Sequence, residues 1–194
     1  RARPDGARSG PASFFDLLNT GKESVVVDPS AADGLEAVQR LVSAADVVVE
    51  SSRPRVMGQW GIDVEALVDT GTVWTSITGY GRTGPRSSGV AFGDDAAVSG
   101  GLLLEDPMGF VADAVADPAT GLLAAVLTLA ALGSGRGHLL DVSLAGTAGW
   151  LAGDGREPDT TSGVEVVPPR ARRVGARAAV LGADTASVMA GLGT

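Results

Sequence analysis

The 194-residue chain contains no cysteine, a single histidine (His138) and a single lysine (Lys22). The absence of cysteine excludes disulfide bonds, thiolate nucleophiles and cysteine-ligated metal sites. One histidine cannot form a histidine cluster, so we predict that the chain binds no metal. Acidic residues outnumber basic ones, and the net charge of −8 argues against a nucleic-acid-binding protein, which needs a basic surface.

Long hydrophobic runs are also scarce. The longest, residues 121–133, is shorter than the roughly 20 apolar residues that a membrane-spanning helix needs, and no secretory signal is visible. Hydrophobic residues still make up 44% of the chain and charged residues 20%, which is typical of a globular protein. We therefore expect a cytoplasmic protein with no membrane partner.

Short β-branched runs alternate with helical patterns in the first half of the chain. Residues 23–28, 46–51 and 72–78 are predicted to be strands because valine, isoleucine and threonine dominate them. The segments 30–45 and 64–71 between them have apolar residues at helical spacing. This alternation favours a parallel sheet covered by helices, so the predicted fold class is α/β.

The second half predicts a helix over 94–105, a strongly apolar helix over 117–133 and a strand over 138–144. A polar segment rich in proline and arginine follows, and we predict that it is a linker. A short helix within 183–193, capped by Asp184 or Thr185, closes the chain. The predicted organisation is a loop remnant (1–13), an α/β domain (14–151), a linker (152–173) and a C-terminal segment (174–194).

The sequence "ADPATGLL" places Asp117 directly before Pro118 and the apolar helix. An aspartate at the N-cap with proline at the first helical position is a common way to begin a helix. The same location orients a carboxylate and keeps it ionised, as a nucleophile requires. Asp113 competes for the role of nucleophile, but it lies in an apolar, extended-looking stretch. The residues alone leave the cap and the nucleophile interpretations open.

Other motifs have simpler interpretations. "GYGRTG" (79–84) matches the glycine pattern of dinucleotide-binding loops. However, Pro85 follows where the helix should begin, and no strand with an acidic end follows at the expected distance. A connecting loop is the better interpretation. Asp94 and Asp95 are adjacent and point apart on a helix, so a local cap explains them better than a paired-carboxylate site.

Six stretches of the chain, in order, resemble the class III CoA-transferase family, which also includes carnitine dehydratase-like enzymes and α-methylacyl-CoA racemases. They are "FFDLLNTGKESVVVD" (14–28), "ADVVVESSRPRVMGQWGID" (45–63), "SITGYGRTGP" (76–85), "GDDAAVSGGLL" (93–103), "ADPATGLLAAVLTLAAL" (116–132) and "GSGRGHLLDVSL" (133–144). The resemblance implies a Rossmann-like α/β domain accompanied by a smaller domain, in subunits that interlock.

The resemblance also implies a mechanism. Transferases of the family use an aspartate in a D-x-x-x-G context as a covalent nucleophile, and Asp117 to Gly121 match that context. The aspartate forms an acyl anhydride and then a CoA thioester, which the acceptor acid resolves. The implied function is transfer of CoA between carboxylic acids, with the CoA thioester as substrate and no cofactor. On this basis Asp117 occupies the cap and the nucleophile position together.

The CoA contacts that the resemblance implies fall in two places. The family's E-N-F-R-P-G-like turn corresponds to "ESSRPRV", where Ser51 and Ser52 replace an amide and an aromatic residue and Arg53 matches. Lys22 in "NTGK" matches a basic position near the CoA. We therefore predict that Lys22, Ser51, Ser52 and Arg53 bind CoA.

Two departures from the family leave alternatives open. Family members are roughly twice as long, and the first βα unit and the small domain have no counterpart in this sequence. A non-catalytic subunit that partners a longer homologue is therefore an alternative to an active homo- or hetero-oligomeric transferase. Racemases of the family carry histidine in a G-H-D motif, whereas this chain has "GDD" with Asp94 there, which disfavours a racemase.

Overall fold

The computed structural model describes residues 12–153, 167–168, 170 and 175–192. The chain divides into two compact units, one of residues 45–158 and one of residues 1–44 with 159–194. The start of the chain and most of the predicted linker lie outside the described residues. In chain order the elements are α1 (Ala12–Asn19), α2 (Ala32–Ser43), β1 (Val47–Glu50), α3 (Arg55–Gln59), α4 (Val64–Asp69), β2 (Val73–Thr78), α5 (Gly93–Ser99), β3 (Leu103–Glu105), β4 (Met108–Phe110), α6 (Ala116–Gly133), β5 (His138–Ser143), α7 (Leu144–Ala152) and α8 (Thr185–Gly191).

The unit of residues 45–158 is built on a three-stranded parallel sheet in the order β1–β2–β5. Val73 on β2 pairs with Val47 on β1 and with His138 on β5. The central strand β2 is almost entirely buried, because both its edges are paired and α6 packs on it. The predicted α/β class with a parallel sheet is confirmed, as are the three strands that form this sheet.

Helix α6 packs against β2, β5 and α7. Its first residue, Ala116, joins Ala96, Ala97 and Ala148 in a cluster of buried small side chains where α5, α6 and α7 meet. Small side chains bring these helices close together, and they fix the start of α6 against the rest of the unit. Among the described residues, α6 is the one helix long and apolar enough to cross a membrane by length and composition, a test that core helices also pass.

A short antiparallel hairpin corrects the predicted helix over 94–105. Helix α5 ends at Ser99, and β3 pairs with β4 in the register Leu103↔Phe110. Gly101 adopts a positive φ of 90° directly after α5, a conformation that ends helices. Each hairpin strand has only three residues, too few for a period-2 pattern to stand out in the sequence.

The other unit contains α1, α2 and α8, and here the predicted strand over 23–28 is wrong. Its backbone is not part of a sheet; the Ser24 N–H donates to the Asp184 carboxylate (2.8 Å) and the Val26 N–H donates to the Thr185 hydroxyl (2.9 Å). Side chains therefore take the bonds that a neighbouring strand would make. Asp184 is at the N-cap of α8, but its side chain does not cap that helix.

Hydrogen bonds fix the turn that leads into α2. The Ser30 hydroxyl and backbone N–H both donate to the Asp28 carboxylate, and these bonds lower the pKa of Asp28. The Asp28 carbonyl lies so close to Gly34 that a Cβ atom at this position would collide with it. Gly34 is therefore needed for the close approach of this turn to α2.

Candidate functional site

Asp117 lies in the first turn of α6 and its side chain is exposed. Val115 is the N-cap, so the predicted capping role of Asp117 is wrong: Asp117 is the second helical residue and Pro118 the third. The N-cap lies two residues earlier than predicted, because a turn over 113–115 leads directly into the helix. Pro118 is still tolerated, since N–H groups of the first turn have no intrahelical partner.

The position of Asp117 leaves its carboxylate available. No donor among the described residues hydrogen-bonds to it, whereas the Asp117 backbone N–H donates to the Ala114 carbonyl (2.9 Å). A carboxylate in the first turn of a long helix interacts favourably with the unpaired N–H groups and the helix dipole. The Asp117 side chain is thus accessible to solvent at the start of α6.

The topology places Asp117 at the edge of the sheet where parallel-sheet proteins bind their ligands. Helix α6 ends at Gly133, and β5 begins at His138 after a short turn. Because β5 runs parallel to β1 and β2, α6 runs antiparallel to all three strands. Its N-terminus therefore lies beside their carboxyl ends, the usual ligand-binding edge of an open parallel sheet.

The predicted CoA-binding turn follows β1 at this same edge. Ser51 and Arg53 are exposed. The Ser52 N–H donates to the Glu50 carboxylate (2.6 Å), and that carboxylate also accepts a hydrogen bond from the hydroxyl of Ser76, which is paired with Glu50 in the sheet. Glu50 therefore ties the turn to the neighbouring strand, a role that the sequence did not reveal because it needs a contact between two strands.

The glycine-rich loop 79–84 follows β2 at the same edge. The Gly81 N–H donates to the Thr78 hydroxyl (2.8 Å), and the Arg82 N–H donates to the Asp141 carboxylate on β5 (2.8 Å). No helix follows the loop until α5 begins at Gly93, so the helix that a dinucleotide-binding fingerprint requires is missing there. Asp141 was not singled out by the sequence, which gives no sign that its strand neighbours this loop.

Lys22 belongs to the other unit. It borders a pocket of about 210 Å³ that is also lined by Phe15, Asn19 and Ser24. Of the predicted site residues, the structure thus brings Ser51, Ser52, Arg53 and Asp117 to one edge of the larger unit, and it places Lys22 in the smaller one.

An apolar groove of about 360 Å³ runs along α6 on the side that faces β1 and β2. It starts at Gly121, one helical turn after Asp117, and reaches Leu129. The Thr75 and Thr128 hydroxyl groups hydrogen-bond to each other at its floor (2.6 Å). A Cβ atom on Gly121 would have nothing within 4 Å, so no contact among the described residues requires glycine there.

The part of the chain that the structure describes has no cluster of three histidine, aspartate or glutamate side chains that could hold a metal ion. This edge of the sheet carries the exposed Asp117 carboxylate and the exposed Ser51 and Arg53 side chains. An exposed carboxylate can act as a nucleophile toward an activated carbonyl.

The family model for CoA-transferase family III matches residues 1–177. Among proteins similar in sequence, the succinate–glutarate CoA-transferase of Agrobacterium fabrum is 38% identical over 76 residues, which are 38% of this chain and 19% of that protein. The succinyl-CoA–D-citramalate CoA-transferase of Chloroflexus aurantiacus is 27% identical over 146 residues, 70% of this chain and 36% of that protein.

Solved structures of similar proteins agree with these matches. A CaiB/BaiF family protein from Brucella suis superposes with a TM-score of 0.65 at 28% identity, covering 75% of this chain and 44% of its own. A hypothetical protein from Mycobacterium tuberculosis gives a TM-score of 0.69 at 27% identity, covering 77% and 45%. The chain thus spans less than half the length of these relatives, and it belongs to CoA-transferase family III.

Proposed function

We propose that this chain contributes the nucleophile of a CoA-transferase, with Asp117 transferring CoA between two carboxylic acids. The observation that carries the proposal is the Asp117 carboxylate, which is exposed, receives no hydrogen bond from the described residues and lies in the first turn of α6 at the ligand-binding edge of the sheet. Membership of the family supports the assignment, as does the D-x-x-x-G spacing from Asp117 to Gly121.

The reaction consists of four acyl transfers. The Asp117 carboxylate attacks the thioester carbonyl of the donor acyl-CoA and expels CoA thiolate, which leaves an acyl–aspartyl anhydride. The thiolate attacks the aspartyl carbonyl, releases the donor carboxylate and forms an aspartyl–CoA thioester. The acceptor carboxylate attacks that thioester and expels the thiolate again. Attack of the thiolate on the acceptor carbonyl then gives the new acyl-CoA and frees Asp117.

In each step a carboxylate displaces the thiolate or the thiolate displaces a carboxylate. The cycle therefore has no net proton transfer and needs no cofactor. The main demand on the protein is to hold CoA while its thiolate leaves and returns. We assign this role to the turn of Ser51, Ser52 and Arg53, which lies at the same edge as Asp117, and to Lys22, whose ammonium group is suited to a phosphate. The relatives named for dicarboxylic substrates suggest an acid of that class.

We also propose that the chain works as an oligomer in the cytoplasm. Two Chloroflexus aurantiacus relatives are named as the alpha and beta subunits of a succinyl-CoA–L-malate CoA-transferase. These names suggest a second subunit of the same family as the partner. Because large apolar side chains of α6 are exposed, a non-catalytic subunit that binds a longer homologue is the second candidate function.

The test is a search for a covalent adduct on the full chain. The protein is incubated with a panel of acyl-CoAs, quenched in acid and weighed intact, and the adduct is then trapped with hydroxylamine and mapped to a peptide. We expect an acyl or CoA adduct on Asp117. Asp117→Asn should fold normally and form none, because the amide keeps the shape of the side chain and removes the nucleophile.

Asp113→Asn is the matched control. Asp113 is also exposed and lies four residues before Asp117, so the variant loses the same charge near the same helix and should keep the adduct. An adduct that persists in folded Asp117→Asn would overturn the assignment. A wild-type chain that forms no adduct with any acyl-CoA, but binds a longer homologue, would support the non-catalytic subunit instead.

A further inference from the structure

Ala114, three residues before Asp117, has an unusual backbone conformation. Its φ of 45° makes it the one non-glycine residue with a positive φ among the described residues. A Cβ atom makes this left-handed region unfavourable, so a non-glycine residue stays there only when neighbouring groups hold it. Since the Ala114 carbonyl accepts the Asp117 N–H (2.9 Å), whatever holds Ala114 also sets the start of α6.

Two consecutive residues at the start of α5 hold this turn. The Asp94 carboxylate accepts a hydrogen bond from the Ala114 N–H (2.8 Å). Gly93 packs directly against the same peptide: a Cβ atom on Gly93 would lie 2.5 Å from the Ala114 carbonyl oxygen and 2.8 Å from its Cα. A side chain at position 93 would therefore push the turn away from Asp94.

The neighbouring Asp95 has a different and purely local role. Its carboxylate accepts a hydrogen bond from the Phe92 N–H (3.3 Å), at the N-cap of its own helix α5. Helices α5 and α6 also pack directly against each other, because Ala96 and Ala97 of α5 and Ala116 of α6 belong to one buried cluster. Asp94 is thus the acidic residue that reaches from α5 to the turn before α6, and Asp95 is not.

We propose that Asp94 and Gly93 are positioning residues that hold the Ala114 turn and so fix the location and direction of the Asp117 carboxylate. The inference rests on the proposed function of Asp117 as nucleophile. In this arrangement Asp94 acts as a hydrogen-bond acceptor for a peptide group, not as a base that removes a proton from the substrate. The chain therefore transfers CoA without exchanging the α-proton of the acyl group.

The first test compares three variants by the steady-state kinetics of CoA transfer and by the rate of adduct formation on Asp117. Asp94→Ala removes the acceptor, and we expect kcat to fall about 10- to 100-fold with KM little changed, because a displacement of about 1 Å at a nucleophile has effects of that size. Asp94→Asn keeps an oxygen that can accept the Ala114 N–H, and it should retain activity within a few-fold of wild type. Asp95→Ala, the matched control, should leave kcat unchanged.

The conservative variant separates the two roles that Asp94 could have. A general base loses its function equally in Asp94→Asn and Asp94→Ala, whereas a positioning acceptor is restored by asparagine. If both variants are equally inactive while Asp95→Ala is normal, the positioning role is wrong. The same conclusion follows if proton NMR in D₂O shows that a 2-methylacyl-CoA loses its α-proton at a rate comparable to transfer, and that Asp94→Asn stops this loss.

A second readout does not depend on activity. Hydrogen exchange measured by NMR on the wild-type chain should show a protected Ala114 amide; the protection should be lost in Asp94→Ala and kept in Asp94→Asn. An unprotected Ala114 amide in wild type overturns the inference, whatever the chain catalyses. If the Asp117 adduct forms but Asp94→Ala leaves its rate unchanged, the inference fails and the proposed function stands. If no adduct forms while the protection pattern holds, the proposed function fails, and Asp94 then only holds the Ala114 turn at the start of α6.

Discussion

The two faces of α6 differ in the size of their side chains, and the larger side chains lie on the exposed face. On the face toward the sheet and α7 the buried side chains are small, and Ala116, Thr120 and Ala124 are at most 4% exposed. On the opposite face, which meets the groove at Leu129, the side chains are large and apolar, and Leu122, Val126 and Leu129 are 71%, 63% and 68% exposed. A helix on the surface of a monomeric protein normally turns its large apolar side chains inward.

We therefore expect another protein surface to cover the outer face of α6, defined by Leu122, Val126 and Leu129. Extended exposed apolar patches on soluble proteins usually mark interaction sites. The small inner face has a separate purpose, since it lets α6 approach the sheet closely and fixes the first turn, which carries Asp117. One helix thus combines close packing around the first turn, which carries Asp117, with an exposed apolar surface.

The largest expected effect concerns assembly through the outer face. Light scattering on the purified chain should show a dimer or a higher assembly, because an isolated monomer would leave in water this face and the edge of β1 that no other described strand pairs with. Replacing Leu122, Val126 and Leu129 together by glutamine should shift the population to monomer. A clean, soluble wild-type monomer with cooperative unfolding would contradict the prediction.

A control of similar composition lies in the other unit. Val180 and Leu181 are also exposed apolar residues, and their replacement by glutamine should leave the assembly intact. If this double variant dissociates the assembly as strongly as the triple variant, the effect is one of general surface hydrophobicity and the outer face of α6 has no special role.

The second prediction compares two adjacent alanines on α6. Both border the groove, but Ala124 is buried on the inner face whereas Ala125 is exposed. Ala124→Leu forces extra volume against the sheet and should lower the free energy of unfolding by about 1–3 kcal/mol. Ala125→Leu should change it by only about 0.5 kcal/mol or less. Urea unfolding followed by circular dichroism measures both, and equal effects would show that the two positions are not on different faces.

The sheet and its helices could be predicted from the sequence because their signals are local. The runs around β1 and β2 are rich in β-branched residues, β5 contains two leucines and a valine, and α6 has a long apolar pattern. The segment 23–28 has the same composition but forms no strand, since a strand also requires a partner and here side chains of Asp184 and Thr185 supply the bonds. Composition indicates the capacity to form a strand, whereas pairing depends on the rest of the fold.

In the candidate site, too, some residues could be predicted from the sequence and others could not. Asp117 and the turn of Ser51 to Arg53 could be located from motifs that are continuous in the sequence, although the helix position of Asp117 was wrong by two residues. The supporting contacts could not be predicted. Asp94 is separated from Ala114 by 20 residues and Arg82 from Asp141 by 59. Such contacts depend on the packing of elements that are far apart in the chain.

The smallest expected effect is at Gly121, on the groove side of α6 between its two faces. Glycine in a helix interior costs about 0.5–1 kcal/mol relative to alanine, and a Cβ atom on Gly121 would meet nothing within 4 Å. In the glutamine-substituted monomer, Gly121→Ala should therefore raise the free energy of unfolding by about that amount. Gly34→Ala on α2 is the opposite control, because its Cβ atom would collide with the Asp28 carbonyl, and it should lower stability. Thermal unfolding of the two variants measures whether each substitution raises or lowers the free energy of unfolding. A loss of stability in Gly121→Ala would show that other residues of the monomer already pack against the groove side of α6. A partner would then have to bind to the outer face.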